Sequence, residues 1–138
     1  MVHNTATLGT FVRGAGSIVN LTGTLVNTGS VLDVGDNGRF GTGGLNSVSG
    51  TITGGSIVSS NASPVLTLSN ATLDAVTLGG TATVGGVPTF LGTLTVNGNT
   101  SITNGLGLAN GAVITRNNAS WSVGTTGVQH ISTPGSAT

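Results

Sequence analysis

Residues 71–96 read ATLDAVTLGGTATVGGVPTFLGTLTV, and this stretch decides the fold. It opens with a small residue followed by Thr and Leu, and the same signature returns 21 residues later, from 71 to 92, as Gly92-Thr93-Leu94. Earlier copies are Gly23-Thr24-Leu25 and Gly50-Thr51-Ile52, and degenerate copies are Ala6-Thr7-Leu8 and Gly111-Ala112-Val113. A weak period near twenty residues is typical of similar turns of chain stacked on one another. The spacing therefore predicts about six stacked coils.

The composition favours strands over both helix and disorder. Gly, Ser, Thr and Asn are abundant, as in low-complexity chains that cannot bury enough apolar surface to fold. Here, however, apolar residues recur throughout, and most are β-branched or Leu. Thr, Val and Ile favour extended chain, whereas Lys and Glu are absent and Met occurs once. The chain is predicted to be all-β.

The predicted architecture is a right-handed parallel β-helix-like solenoid, forming a single domain over residues 1–138 with a loop-like insertion at about 35–44. Such insertions protrude from a coil without disturbing the stack. An antiparallel β-sandwich is the alternative, because Asn-Gly pairs begin at Asn37, Asn97, Asn104 and Asn110 and are typical of tight hairpins. The spacing favours the solenoid, since the short strands are separated by one or two bend residues and similarity returns only near twenty.

Recurrence with the coils also predicts the interior of the rod. The apolar residues expected to be buried are Leu73, Val76, Leu78, Val84, Leu94, Val96 and Ile102. Pro64 and Pro88 are expected at strand starts or corners, because proline cannot donate to a central ladder.

The charge content excludes several classes of function. Charged residues make up 4% of the chain, against roughly a quarter in an ordinary soluble domain, and the net charge is zero. Neither a nucleic acid nor an anionic membrane is an expected partner, since attracting one needs many like charges. With no cysteine there is neither a disulfide framework nor a thiolate metal site. The first ten residues lack the basic start and apolar core of a signal peptide, so we expect either that an export signal lies outside this sequence or that the protein is not exported by that route.

Few residues are candidates for site chemistry. Asp33 and Asp36 bring two carboxylates to one turn, as a calcium ion requires, although Asp in a turn more often caps the backbone. Asp74 is isolated, and paired carboxylates are the usual requirement for glycoside hydrolysis. His3 and His130 lie near opposite ends of the predicted rod. The sequence therefore predicts no catalytic residue, no cofactor and no enzymatic activity.

Thr-x-Thr triplets begin at Thr5, Thr51, Thr81 and Thr93. Aligned on neighbouring coils, they would form an outward ladder of hydroxyl groups able to organise water or bind ice. The simpler explanation is that Thr is a common outward residue of β-rich chains. Ice binding needs the strict register of a flat ladder, so it is kept as a second alternative function.

The segments GGTATVGG (79–86), GTLTVNGNTSITNG (92–105) and LANGAVI (108–114) resemble repetitive β-solenoid segments of phage virion proteins, from fibres or capsid decoration. They are also similar to passenger repeats of autotransporter-type adhesins. The phage resemblance implies a non-enzymatic, homotrimeric component of the virion with a capsid or fibre scaffold as partner. The adhesin resemblance implies part of a long extracellular or cell-surface rod.

Self-association is the functional expectation argued from the residues themselves. A solenoid ends in open strand edges, which monomeric proteins blunt with Lys, Pro, bulges or a helix. This chain has no Lys and no long-range charge repulsion. A homo-oligomer is therefore expected, either a trimer or an end-to-end filament.

Overall fold

A computed structural model describes residues 1–61, 67–79, 82–84, 87–98, 100–102, 105–117, 121–123 and 131–132. For 82–84, 102, 121, 123 and 131–132 it describes the backbone alone. Pro64, Asn104, His130 and the side chains of Val84 and Ile102 therefore lie outside the described part of the chain.

The described residues form short strands and no helix, as predicted. In chain order the strands are β1 (Val2–Asn4), β2 (Asn20–Leu21), β3 (Thr24–Val26), β4 (Val31–Asp33), β5 (Ser47–Val48), β6 (Thr51–Thr53), β7 (Ser56–Val58), β8 (Thr67–Leu68), β9 (Thr72–Asp74), β10 (Thr77–Leu78), β11 (Ala82–Val84), β12 (Thr89–Leu91), β13 (Thr93–Val96), β14 (Thr100–Ile102), β15 (Leu106–Leu108), β16 (Val113–Arg116), β17 (Trp121–Val123) and β18 (Ile131–Ser132).

These strands stack into three faces. The first face is the sheet β1-β3-β6-β9-β12-β15-β18, and the second is β4-β7-β10-β13-β16. The third face consists of two three-stranded sheets, β2-β5-β8 and β11-β14-β17, which occupy the same place in the circuit and meet where β8 contacts β11. From β2 onward the chain passes through the third, first and second faces in the same order on each turn, whereas the first turn has no described strand on the second face.

All the strand pairs are parallel, which confirms the solenoid and rules out the antiparallel sandwich. The stack has about five turns, close to the six predicted. Two of the Asn-Gly pairs that favoured hairpins, those beginning at Asn97 and Asn110, lie at corners between faces instead, and Asn37 lies within the 35–44 segment. Asn110 and Gly111, for example, lie between β15 on the first face and β16 on the second.

The core consists of inward-pointing residues that stack in columns. On the first face the column is Leu25, Ile52, Leu73 and Phe90, and on the second it is Leu32, Ile57, Leu78 and Val96; all are buried. The predicted interior residues Leu73, Val76, Leu78, Leu94 and Val96 are confirmed as buried. Burying such side chains contributes about 1.5–3 kcal/mol each.

The repeated small residue before Thr lies at the corner that leads into the first face. Gly23, Gly50 and Ala71 occupy this corner on successive turns. The carbonyl of each accepts a hydrogen bond from the Thr that begins the first-face strand of the following turn. Thr51 N donates to Gly23 O at 3.0 Å. A Cβ at Gly50 would overlap that same oxygen, so the corner requires glycine there. Pro88 continues the corner directly before β12, as expected.

The structure corrects one part of the predicted repeat. Thr72 pairs with Thr89, so the fourth copy of the signature is Pro88-Thr89-Phe90 and not Gly92-Thr93-Leu94. Gly92 is instead a corner residue with φ of 59°, and Thr93 begins β13 on the second face. The degenerate copies are also misplaced. Ala6-Thr7-Leu8 forms a turn, and Val113 pairs with Thr93 one position away from the predicted alignment.

The predicted insertion at 35–44 contains no strand, but it does not simply protrude. Phe40 and Leu45 are buried, and Leu45 N donates to Val34 O at 2.9 Å. The segment folds back onto the first turns because burial of Phe40 within it, and of Leu45 directly after it, removes large apolar side chains from water.

Candidate functional surfaces

The N-terminal end of the solenoid exposes apolar surface that the other described turns bury. Met1 and Val2 are 94% and 69% exposed, and β1 is the edge strand of the first face. Below them opens a cavity of about 530 Å³ lined by the core residues Leu25 and Phe40 and by the partly buried Leu21. This end combines an unpaired strand edge with the exposed end of the core.

A pair of interlocked loops covers part of this end. Arg13 on the first loop donates from Nη1 to Gly44 O at 2.8 Å, and Nη2 bonds to Ser17 O. Arg39 on the second loop donates from Nη1 to Leu8 O at 2.6 Å, while Phe11 N donates to Arg39 O at 2.7 Å. We call residues 8–17 and 35–44 together the loop cap. The described N-terminal end is thus partly covered by loops that contain no helix.

The loop cap carries its own exposed apolar tip. The rings of Phe11 and Phe40 lie 5.7 Å apart, with Phe40 buried and Phe11 partly exposed. Val12 is 99% exposed, and Ile18 nearby in sequence is 65% exposed. Phe11 and Val12 thus place two exposed apolar side chains next to each other in the sequence of the loop cap, and contiguous exposed apolar surface is typical of contact sites.

His3 occupies a core position of the first turn. It pairs with Leu25, so it stands in the same column as Ile52, Leu73 and Phe90, yet it is exposed and lines the cavity. A polar ring at this position ends the apolar column. The predicted separation of His3 from His130 stays a prediction, because His130 lies outside the described residues.

Hydroxyl groups form outward columns on every face. On the first face the register aligns Thr24, Thr51, Thr72 and Thr89. On the second face it aligns Ser56, Thr77, Thr95 and Thr115, and on the third Asn20, Ser47 and Thr67. Successive members lie about 4.8 Å apart, the spacing of neighbouring strands.

This distribution bears on the ice-binding alternative. A flat two-column surface on the first face would need a second column of Thr, but that column reads Val26, Thr53, Asp74 and Leu91. Only β6 keeps a complete Thr-x-Thr on this face among its described strands. Because comparable hydroxyl columns occur on all three faces, they are explained by the preference of Thr and Ser for outward strand positions.

Asp33 and Asp36 both bind backbone amides. Asp33 Oδ1 accepts from Gly35 N at 2.8 Å and from Ser60 N of the next turn at 2.9 Å. Asp36 Oδ1 accepts from Gly43 N at 2.8 Å and so holds the 35–44 segment closed. The geometry is that of carboxylates capping turns.

The remaining acid, Asp74, stands at the end of β9 on the first face and is half-buried. Within the described ranges, no three His, Cys, Asp or Glu residues come close enough to hold a metal ion. The described residues also contain no helix that is long and apolar enough to cross a membrane.

Comparison with known proteins assigns no role to these surfaces. No protein-family model, no curated protein and no solved structure matched the chain.

Sequence reasoning did not anticipate the residues of the loop cap. Arg13 has no carboxylate near it in the sequence and Arg39 has Asp36 three residues before it, but both arginines bind backbone carbonyls, which no sequence pattern indicates. The one available signal was Phe40, a large apolar residue inside a stretch otherwise typical of exposed loop.

Proposed function

We propose that the protein is a non-enzymatic structural element that acts as an assembly of identical copies, as a component of a virion surface. The observation that carries this proposal is the contrast between its end and its sides. Apolar core and a strand edge are exposed together at the N-terminal end, whereas the described faces present mainly Ser, Thr and Asn outward, with Val31 and Val113 as scattered exposed apolar residues.

The proposed contact is end to end. Unpaired strand edges readily add another strand, and burial of apolar surface stabilises the contact by about 25 cal/mol per Å². Zero net charge leaves no long-range repulsion between copies. The parallel trimer implied by the phage resemblance is the alternative assembly, and it would bring the hydroxyl columns together along the rod.

The outer edge of β1 is partly protected, so we expect the affinity between copies of the chain to be moderate. The carbonyl of Asn4 already accepts hydrogen bonds from Thr7 N at 3.1 Å and Leu8 N at 2.9 Å. Strand β1 has three residues, and short edge strands limit uncontrolled pairing. An assembly that forms at high local concentration is consistent with both features.

Light scattering coupled to size exclusion tests the proposal. A molar mass that rises with protein concentration supports end-to-end association, and a fixed trimer supports the alternative. A monomer at every concentration would contradict assembly of either kind.

Two matched variants locate the contact. Val2→Lys places a charge on the edge strand and is expected to lower the associated mass, because a charged edge strand resists pairing. Leu91→Lys introduces the same charge on β12, inside the first face, and is expected to leave the mass unchanged. Equal effects of the two variants would argue for a lateral contact.

The adhesin alternative makes a different prediction for the same end. Further coils of a longer rod would cover it, and adding such coils would then abolish the concentration dependence of the mass. No described geometry favours this alternative over the virion component.

A further inference from the structure

Two buried oxygen atoms lie at the corner between the first and second faces without a hydrogen-bond partner among the described residues. They are Thr5 Oγ1 and Asn27 Oδ1, and both residues are 0% exposed. Buried polar atoms in native proteins are nearly always hydrogen-bonded, to the protein or to an ordered water. Two such atoms in one corner therefore require an explanation.

The register brings the two residues to the same corner on successive turns. Asn4 pairs with Val26, and Thr5 N donates to Val26 O at 2.9 Å. Thr5 and Asn27 each follow one member of this pair, so they lie on adjacent turns about 4.8 Å apart in the stacking direction.

The orientation of the Asn27 amide is fixed by its other partners. Its Nδ2 donates to Gly54 O at 3.3 Å and to Ser56 O at 3.1 Å, both on the following turn. Exchanging the oxygen and nitrogen would put Oδ1 against two carbonyl oxygens, which have no proton to donate. Oδ1 is therefore the amide atom that remains available to a hydrogen-bond partner on the side of the turn that carries Thr5.

We propose that one buried water molecule bridges Thr5 Oγ1 and Asn27 Oδ1. A water can donate to the carboxamide oxygen and also donate to, or accept from, the hydroxyl, so it satisfies both atoms at once. The resulting chain runs from Thr5 through the water to Asn27 and on to the carbonyls of Gly54 and Ser56. It ties β1, the exposed edge strand, to the two turns that follow.

A high-resolution crystal structure of the full chain tests the site directly. The expected result is one solvent peak within hydrogen-bond distance, about 2.7–3.2 Å, of both oxygens. A direct bond from Thr5 Oγ1 to Asn27 Oδ1 with no water between them would overturn the proposal. So would a peak surrounded by six or more oxygens, because that environment indicates a cation.

Two variants at one position add a solution test. Thr5→Val keeps the shape of the side chain but removes the hydroxyl, so the peak is expected to disappear and the thermal unfolding midpoint to fall. Thr5→Ser keeps the hydroxyl and is expected to retain the peak. A water peak that persists unchanged in Thr5→Val, or an unfolding midpoint in Thr5→Val equal to that of the wild type, would contradict the bridge.

Discussion

Among the described residues, Ala75 has a backbone conformation that suits its side chain poorly. Its φ is 53°, in the left-handed region, and the equivalent corner positions on the neighbouring turns are Gly54 and Gly92, also at positive φ. A left-handed conformation costs an L-residue about 1–2 kcal/mol, and a glycine loses about 0.4–1 kcal/mol more entropy on folding. Ala75→Gly is therefore expected to raise the free energy of unfolding by roughly 0.5–1 kcal/mol.

Urea unfolding measures this change as a higher midpoint at unchanged slope. Ala71→Gly is the matched control, because Ala71 is buried at the corner before β9 and is not at positive φ. It is expected to lower the free energy of unfolding by about 1 kcal/mol. If Ala75→Gly and Ala71→Gly changed the free energy of unfolding in the same direction, strain at Ala75 would not be the cause of the change seen in Ala75→Gly.

A substitution at Val76 tests the predicted core, again at the scale of a single residue. It is 1% exposed, so Val76→Asp would bury a carboxylate with no partner and is expected to cost more than about 3 kcal/mol. Val113→Asp is the control, since Val113 is 53% exposed and exposed substitutions usually stay within about 0.5 kcal/mol. An unchanged melting temperature in Val76→Asp would remove Val76 from the core.

At the scale of elements, the loop cap should open independently of the solenoid. Arg13→Gln removes the guanidinium that bonds Gly44 O and Ser17 O. Amide hydrogen exchange is expected to accelerate at Phe11 N and Gly44 N, while the amides of β6 and β9 keep their protection, because segments held by few buried contacts open locally.

Arg116→Gln is the control for this experiment, because Arg116 is an exposed residue of β16. It is expected to leave the exchange of Phe11 N unchanged. Equal acceleration at Phe11 and throughout β6 after Arg13→Gln would mean that the cap and the solenoid unfold as one unit.

The elements also show what could be predicted and what could not. Alternation of apolar and polar residues at period two was enough to identify the strands and the core residues Leu73, Leu78 and Val96. The register was harder, because a three-residue signature is short and Gly92-Thr93-Leu94 satisfies it at a corner. Turns of unequal length hide the true partners: β9 and β12 pair although Thr72 and Thr89 are only 17 positions apart.

At the scale of the whole molecule, the surface follows from composition more than from any single motif. With 4% charged residues, the outward columns are filled mainly by Ser, Thr and Asn, and two of the three acids, Asp33 and Asp36, cap turns. Open strand edges were expected at the ends of any solenoid, but the exposed apolar residues of the N-terminal end could not be predicted, since they depend on how the loop cap folds over the first turns. Contacts of Arg13 and Arg39 with backbone carbonyls leave no pattern in a sequence.

The central claim is the parallel three-faced stack with Thr72 beside Thr89, and cysteine cross-linking tests it most directly. The chain contains no cysteine, and neighbouring strands place paired Cα atoms about 4.8 Å apart, within the range of roughly 4.4–6.8 Å that a disulfide spans. At low protein concentration, the double variant Thr72→Cys with Thr89→Cys is expected to oxidise to an intramolecular disulfide, and Thr72→Cys with Thr93→Cys is expected to stay reduced. A disulfide in the second variant but not in the first would contradict the structure and restore the register of the repeated signature.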